Sequence, residues 1–328
     1  MVMMGCSNEG GDDAAASADS NATVAVVPGI ANWFVAQDQG LDKKYGFTLN
    51  IETAHVTAAT LIPSLGKQYD FGVVTIPDVI NAWASGLKPT IIAADSSETT
   101  TFPATYTVAD KDISSIADLK GKAVAVIAES GTGYVGFLKE LADAGLSASD
   151  VRFITTPAAT MYDTLQSGRV QAAVMSTPPA YEAVADTENY RVLGKPSVEI
   201  GTNGTALKTV VVADSVWAAA NPATVESFRK MFVESQEWIN ANVDGTKQIR
   251  ISDMGNAEAA LASSPDASII DAILGLEPTI EQVTPWISAM NDLDLLTKSI
   301  SAADLILPWP ADLSAATPTA DQLAGQSK

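Results

Sequence analysis

Short β-rich apolar runs alternate with helical runs of about ten residues from position 23 to position 213, and a sequence of that kind folds as a parallel α/β sheet. The strand-like runs fall at 23–27, 47–51, 69–74, 90–94, 105–109, 123–127, 151–155, 171–175, 191–193 and 208–213. The helical runs fall at 30–41, 57–65, 77–84, 134–144, 162–167 and 178–185, with glycine closing several and proline opening two. Residues 197–206 are rich in glycine, asparagine and threonine and read as a loop. After position 220 the pattern is helical only. Phe228, Met231, Phe232, Ser235 and Ile239 lie at helical spacing in a helix predicted over 221–238, and further helical patterns cover 254–264, 267–275 and 279–293. The order is one α/β half, a second α/β half, then helices. Crossings between the halves are expected at 105–109 and 208–213, so the C-terminal helices complete the first half.

Composition narrows the function classes. A chain of 328 residues holds about two domains. With 47% hydrophobic and 18% charged residues it has ample material for a core. A net charge of -20 excludes nucleic acid and an anionic membrane surface as partners, because both would repel it. No apolar run is long enough for a transmembrane helix. The single cysteine, Cys6, rules out an intrachain disulfide. Met3-Met4-Gly5-Cys6 precedes a polar stretch to Asn21, and together they read as a bacterial lipobox cysteine with a disordered tether over 1–21. Cys6 is therefore expected to carry lipid.

The binding chemistry is expected at helix starts. Asp118 to Val126 leads through Ala128-Glu129-Ser130 into Gly131-Thr132-Gly133-Tyr134, an apolar strand, a small-residue loop and a helix. The free N–H groups and positive dipole end of such a helix attract an anion. The same arrangement is read at 51–60. Two such starts in two successive α/β units point to two lobes closing on one small ligand. The candidate contacts are Asn32, Trp33, His55, Thr57, Ala58, Thr75, Ser130, Gly131, Thr132, Gly133, Tyr134, Ser176 and Thr177. Asn32 is read as either a helix cap or a ligand donor, and Trp33 as either a cleft wall or a residue packed on the sheet. Gly131-Thr132-Gly133-Tyr134-Val135-Gly136 satisfies the dinucleotide-binding glycine pattern, but three residues separate the first glycine from its strand and the next strand ends in threonines. A nucleotide-dependent oxidoreductase is disfavoured on that ground. His55 is the only histidine, no cluster of metal-binding residues is seen, and no hydrolase, zincin or Walker pattern occurs, so binding without catalysis is expected.

The motifs themselves resemble a known family. Asp42-Lys43-Lys44-Tyr45-Gly46-Phe47, Tyr69-Asp70-Phe71-Gly72-Val73-Val74, Ala117-Asp118-Leu119-Lys120-Gly121-Lys122, Gly168-Arg169-Val170-Gln171-Ala172-Ala173 and Pro178-Pro179 are similar to segments of the solute-binding proteins of ABC importers. The resemblance is to the subgroup for sulfonates, nitrate, taurine and thiamine-precursor pyrimidines, and it covers about 23–245. It implies an α/β, two-lobed periplasmic-binding-protein-like clamshell of type II, with two parallel-rich sheets flanked by helices and a hinge of two crossing strands. Lobe 1 would comprise 22–107 plus 208–312, lobe 2 108–207, and 313–328 a loose tail. The implied protein is an extracytoplasmic monomer, lipid-anchored through Cys6, without cofactor. It would deliver a small organic anion to a membrane permease. An enzyme on the same fold, such as a pyrimidine-precursor synthase, is the alternative from another class.

Overall fold

Two five-stranded sheets form the frame, and each contains one strand running against the other four. The computed structural model describes residues 20–25, 31–52, 57–177, 179–254 and 275–317. The first sheet has the order β2-β1-β3-β10-β4, from β1 (Ser20–Ala25), β2 (Phe47–Glu52), β3 (Phe71–Thr75), β4 (Pro89–Thr99) and β10 (Thr205–Asp214). The second has the order β7-β6-β8-β5-β9, from β5 (Thr105–Asp110), β6 (Ala123–Val126), β7 (Arg152–Thr155), β8 (Ala172–Ser176) and β9 (Tyr190–Gly194). β1 pairs in parallel with β2 and β3, and β6 with β7 and β8. β10 is antiparallel to β3 and β4, and β5 is antiparallel to β8 and β9. The sheets are parallel-rich, as expected, and share a common plan in which one strand of five is antiparallel.

The geometry of crossing explains the reversed strands. A strand of a βα unit ends at the side facing the other half. A chain that passes straight across from there, with no helix to turn it, enters the second sheet running away from the crossing, against that sheet's own βα strands. β5 enters in this way after β4, whereas a five-residue helix at 196–200 comes between β9 and β10.

The crossings lie at 100–104 and 195–204. The strands expected to cross, 105–109 and 208–213, each lie within one sheet. β4 continues past the run expected at 90–94, through Asp95, Ser96, Ser97 and Glu98. They are buried strand residues, and Asp95, Ser96 and Glu98 find polar partners in the hinge.

The helices follow the predicted rhythm. The first half carries α1 (Ala31–Asp38), α2 (Leu41–Lys44), α3 (Ala58–Leu61) and α4 (Ile76–Ala84). The second carries α5 (Gly131–Asp143), α6 (Met161–Gln166), α7 (Pro179–Ala185) and α8 (Pro196–Ile200). Then come α9 (Ser215–Ala220), α10 (Pro222–Ala241), α11 (Val243–Met254), α12 (Ile280–Asp292) and α13 (Ala302–Leu305). α8 falls where a loop was expected. Pro196 opens it, and Val198 and Ile200 are buried, which the glycine-rich stretch just after it obscured.

One face of the first sheet, with Val73, Ile92, Val211 and Ala213, packs on Trp33 of α1 and on Phe228, Met231 and Phe232 of α10. The other, with Val74, Ile91, Val210 and Val212, packs on α4 and on Val283, Trp286 and Met290 of α12. Val135 of α5 and Ile200 of α8 join that second cluster, so the two halves share apolar contact. Expected tether residues Ser20 and Asn21 are in β1, and the expected loose tail is tied down as far as Ala316, which is buried. The Ala315 carbonyl there accepts from the Leu276 N–H at 2.7 Å. The helical patterns at 254–264 and 267–275 lie almost wholly outside the described residues.

Candidate functional site

The starts of α4 and α5, one from each half, meet face to face. Thr75 ends β3 and takes the N-cap position of α4, and Ser130 takes the N-cap position of α5. Gly131 follows with φ +80°, a left-handed turn that a side chain strains against. A Cβ added at Gly131 would lie 3.6 Å from Thr75 Oγ1 and 3.7 Å from its Cγ2, so the two helix starts lie close to one another. Between them sits half-buried Asp78, in the first turn of α4. The Thr75 hydroxyl donates to Asp78 Oδ2 at 2.6 Å. Burial raises the pKa of this carboxyl, against the lowering effect of hydrogen bonds from the Thr75 hydroxyl, the Thr75 backbone N–H and the Ser130 hydroxyl. Sequence reasoning passed over Asp78. The signal was present, because Thr75-Ile76-Pro77-Asp78 ahead of an apolar helix is the spacing of a capping box.

Beside this junction runs the hinge. β4 and β10 pair along their length with register breaks: Leu207 opposes Ser97 and Thr209 opposes Ser96, which leaves Lys208 as a bulge, and Asp95 is the unopposed residue before Ala94. The fully buried Glu98 reaches across to the start of the second sheet. Its Oε2 accepts from the N–H groups of Ala104 at 2.9 Å and Thr105 at 3.1 Å, and its Oε1 accepts from the Thr105 hydroxyl at 2.9 Å. The bulged Lys208 places its Nζ 3.8 Å from the same Oε1. The Thr100 N–H donates to the Gly204 carbonyl at 2.9 Å and ties the two crossing segments together. Thr209 donates to Asp95 Oδ2 at 2.7 Å and also bonds Ser96. A run of polar residues in a strand is therefore the seam between the halves, which no local pattern announced.

The other candidates divide clearly. Ser176 opposes Thr105, and the Thr177 N–H donates to the Ala104 carbonyl at 2.9 Å, so both lie against the hinge segment that Glu98 holds. A Cβ on Gly133 would sit 3.1 Å from Thr105 Cγ2 and 3.3 Å from Val174 Cγ1; this residue presses on the second sheet. Thr132 is buried. Tyr134 packs edge-on against Phe153 at 5.2 Å, within its own half, and burial raises the pKa of its hydroxyl. Thr57 sits at the N-cap of the four-residue α3 without a side-chain cap bond, and Ala58 packs on the first half's core.

Trp33 is not a cleft wall. It is fully buried, stacked on Phe228 at 5.3 Å and tilted against Phe232 at 5.2 Å, because α10 lies across α1. Asn32 is buried too and donates to Gln236 Oε1 of α10 at 2.7 Å, so it is neither the expected cap nor an exposed donor. His55 and Cys6 lie outside the described residues.

The glycine pattern is explained by packing. Gly131 supplies a positive φ, and a Cβ on Gly136 would lie 2.3 Å from the Pro196 carbonyl oxygen, where α8 crosses α5. Among the described residues no group of three histidine, cysteine, aspartate or glutamate side chains is placed to hold a metal ion. No helix of the described residues is long and apolar enough to cross a membrane.

The chain belongs to the family described as NMT1/THI5 like, whose pattern matches residues 27–244. The fold is that of the periplasmic aliphatic sulphonate binding protein SsuA from Escherichia coli, with TM-score 0.70 and 20% identity over 90% of this chain and 94% of that one. The alkanesulfonate-binding protein SsuA from Xanthomonas axonopodis pv. citri, bound to MOPS, superposes with TM-score 0.67 and 18% identity over 89% and 99% of the two chains. The desulfurization enzyme DSZB shares the fold as well, with TM-score 0.61 and 13% identity over 88% and 96%. No curated protein sequence matches the chain.

Proposed function

We propose that this chain is the extracytoplasmic solute-binding protein of an ABC importer, which closes its halves on a small organic anion of the sulfonate class and hands it to a membrane permease. The observation that carries this reading is the meeting of α4 and α5 from opposite halves beside a two-segment hinge. Such a junction offers helix-start N–H groups and hydroxyls from both sides to one small ligand. Family membership supports the transport class. The sulfonate-binding relatives in the same fold support the ligand class. The division into lobes at 22–107 plus 208–312 and 108–207, and a lipid on Cys6 that would tether the protein to its permease, belong to the same proposal.

A thermal-shift panel of propane-1-sulfonate, taurine, nitrate and NAD tests it. A ligand at a hundred times its Kd adds about 2.7 kcal/mol to stability, so a true ligand raises Tm by several degrees. Stabilisation by a sulfonate, with the ligand recovered unchanged after incubation, is the expected result. Stabilisation by NAD alone, or chemical turnover of the ligand, would overturn the reading. For the anchor, the protein produced in its native host should partition with membranes, and Cys6→Ala should move it to the soluble fraction. A wild type that is already soluble would refute the anchor.

A further inference from the structure

The end of α12 reaches out of its own half. Val283, Trp286, Ile287 and Met290 of this helix are buried in the cluster under the first sheet. The helix stops in a Schellman turn: the Asp294 N–H donates to the Asn291 carbonyl at 3.0 Å, and the Leu295 N–H to the Met290 carbonyl at 2.9 Å. An apolar contact between Leu295 and Met290 completes such a turn, and the turn needs nothing more. Leu293 and Leu295 nevertheless also pack on a cluster whose buried members all lie between Ala109 and Val174, in the second half, among them Phe137, Leu138 and Leu141 of α5. Asp294, between the two leucines, holds φ +55°, a left-handed conformation that glycine adopts at lower cost.

Resting on the binding reading above, we propose that Leu293 and Leu295 form an apolar clasp, a third link between the halves beside the two crossings, which holds the ligand-free protein near its closed arrangement. Three features fit this role. The clasp is made in the same arrangement in which the α4 and α5 starts lie close, so it favours that arrangement. Both leucines are half-buried, so the contact is one that a hinge rotation can break, unlike the covalent crossings. α5 packs on the second sheet and moves with it, so any rotation about 100–104 and 195–204 has to draw Phe137, Leu138 and Leu141 past the end of α12. A ligand that needs the closed arrangement binds with an affinity reduced by the fraction of molecules that are closed, so the clasp tightens binding without touching the ligand.

The test compares wild type, the double variant Leu293→Ala/Leu295→Ala and Leu296→Ala, using small-angle scattering of the ligand-free proteins and calorimetric titration with propane-1-sulfonate. Leu296 is half-buried on the cluster under the first sheet and not on that of the second, so its variant loses packing without cutting the clasp. The ligand-free double variant should have a larger radius of gyration than wild type, with its circular dichroism unchanged, and bind the sulfonate at least about fivefold more weakly. Leu296→Ala should keep the wild-type radius and affinity. If the double variant does not fold, Leu295→Ala alone is judged by the same criteria. An unchanged radius in the folded clasp variant overturns the clasp, and so does an equal expansion in Leu296→Ala. Expansion with undiminished sulfonate binding overturns the link to affinity. If neither wild type nor variants bind the sulfonate but the clasp variant still expands, the clasp stands and the sulfonate reading is what fails.

Discussion

Glu140 supplies the sharpest test of how burial governs this molecule. It projects from α5 onto the second sheet, almost wholly buried. The Thr107 hydroxyl donates to Oε2 at 2.6 Å, and Oε1 is buried without a partner, facing Gly194. Burial pushes the pKa from 4.5 up to about 8, the Thr107 bond pulls it down, and the charges of Glu199 and Asp143 push it further up. The sign follows from proton counting. Between the two values the folded protein keeps a proton that the unfolded chain has lost, so stability falls as pH rises, and the loss is complete above the folded pKa. Each pH unit in that window is worth about 1.4 kcal/mol, which makes the whole effect on the order of 4–5 kcal/mol. Glu140→Gln keeps an oxygen for Thr107 and has no charge to acquire. Urea midpoints followed by circular dichroism from about pH 4.5 to about pH 8.5 should show the variant gaining on wild type steadily across the window, because every other titrating group cancels in the difference. A variant-minus-wild-type difference that stays flat with pH would refute the argument.

Other expectations follow from packing. Trp33→Ala should cost about 3–5 kcal/mol of stability in urea unfolding, because it empties the aromatic cluster with Phe228 and Phe232, while ligand preference stays that of wild type. A changed ligand preference would return Trp33 to the cleft. Arg229 is buried, its pKa lowered to about 10 by burial, and donates to the carbonyls of Ile92, Pro308 and Leu307. Arg229→Met should leave those carbonyls unpaired and cost about 3 kcal/mol by urea midpoint, and an unchanged midpoint would show that the 307–308 strap adds nothing. Gly136→Ala drives a methyl into the Pro196 backbone and should cost about 2–3 kcal/mol in the same assay; a neutral result would mean that α8 shifts freely against α5.

The sequence by itself determined the elements. Phe47–Glu52 was expected at 47–51, Ile280–Asp292 at 279–293, and the apolar spacing in 221–238 named the buried face of α10. These are local properties, since side-chain period and caps are set by residues within a turn or two of each other. Thr75, Ser130 and Gly131 were legible for the same reason, as polar or small residues where a strand hands over to a helix. Only the tertiary structure decided what each element meets. Trp33 became core because Phe228 and Phe232 arrive from the far end of the chain. Asp95 to Glu98 became strand because Thr209, Lys208 and Thr105 satisfy polar groups that otherwise could not be buried. Burial of a charge or an aromatic ring is set by partners distant in sequence, and those partners exist only once the crossings at 100–104 and 195–204 have brought the halves together.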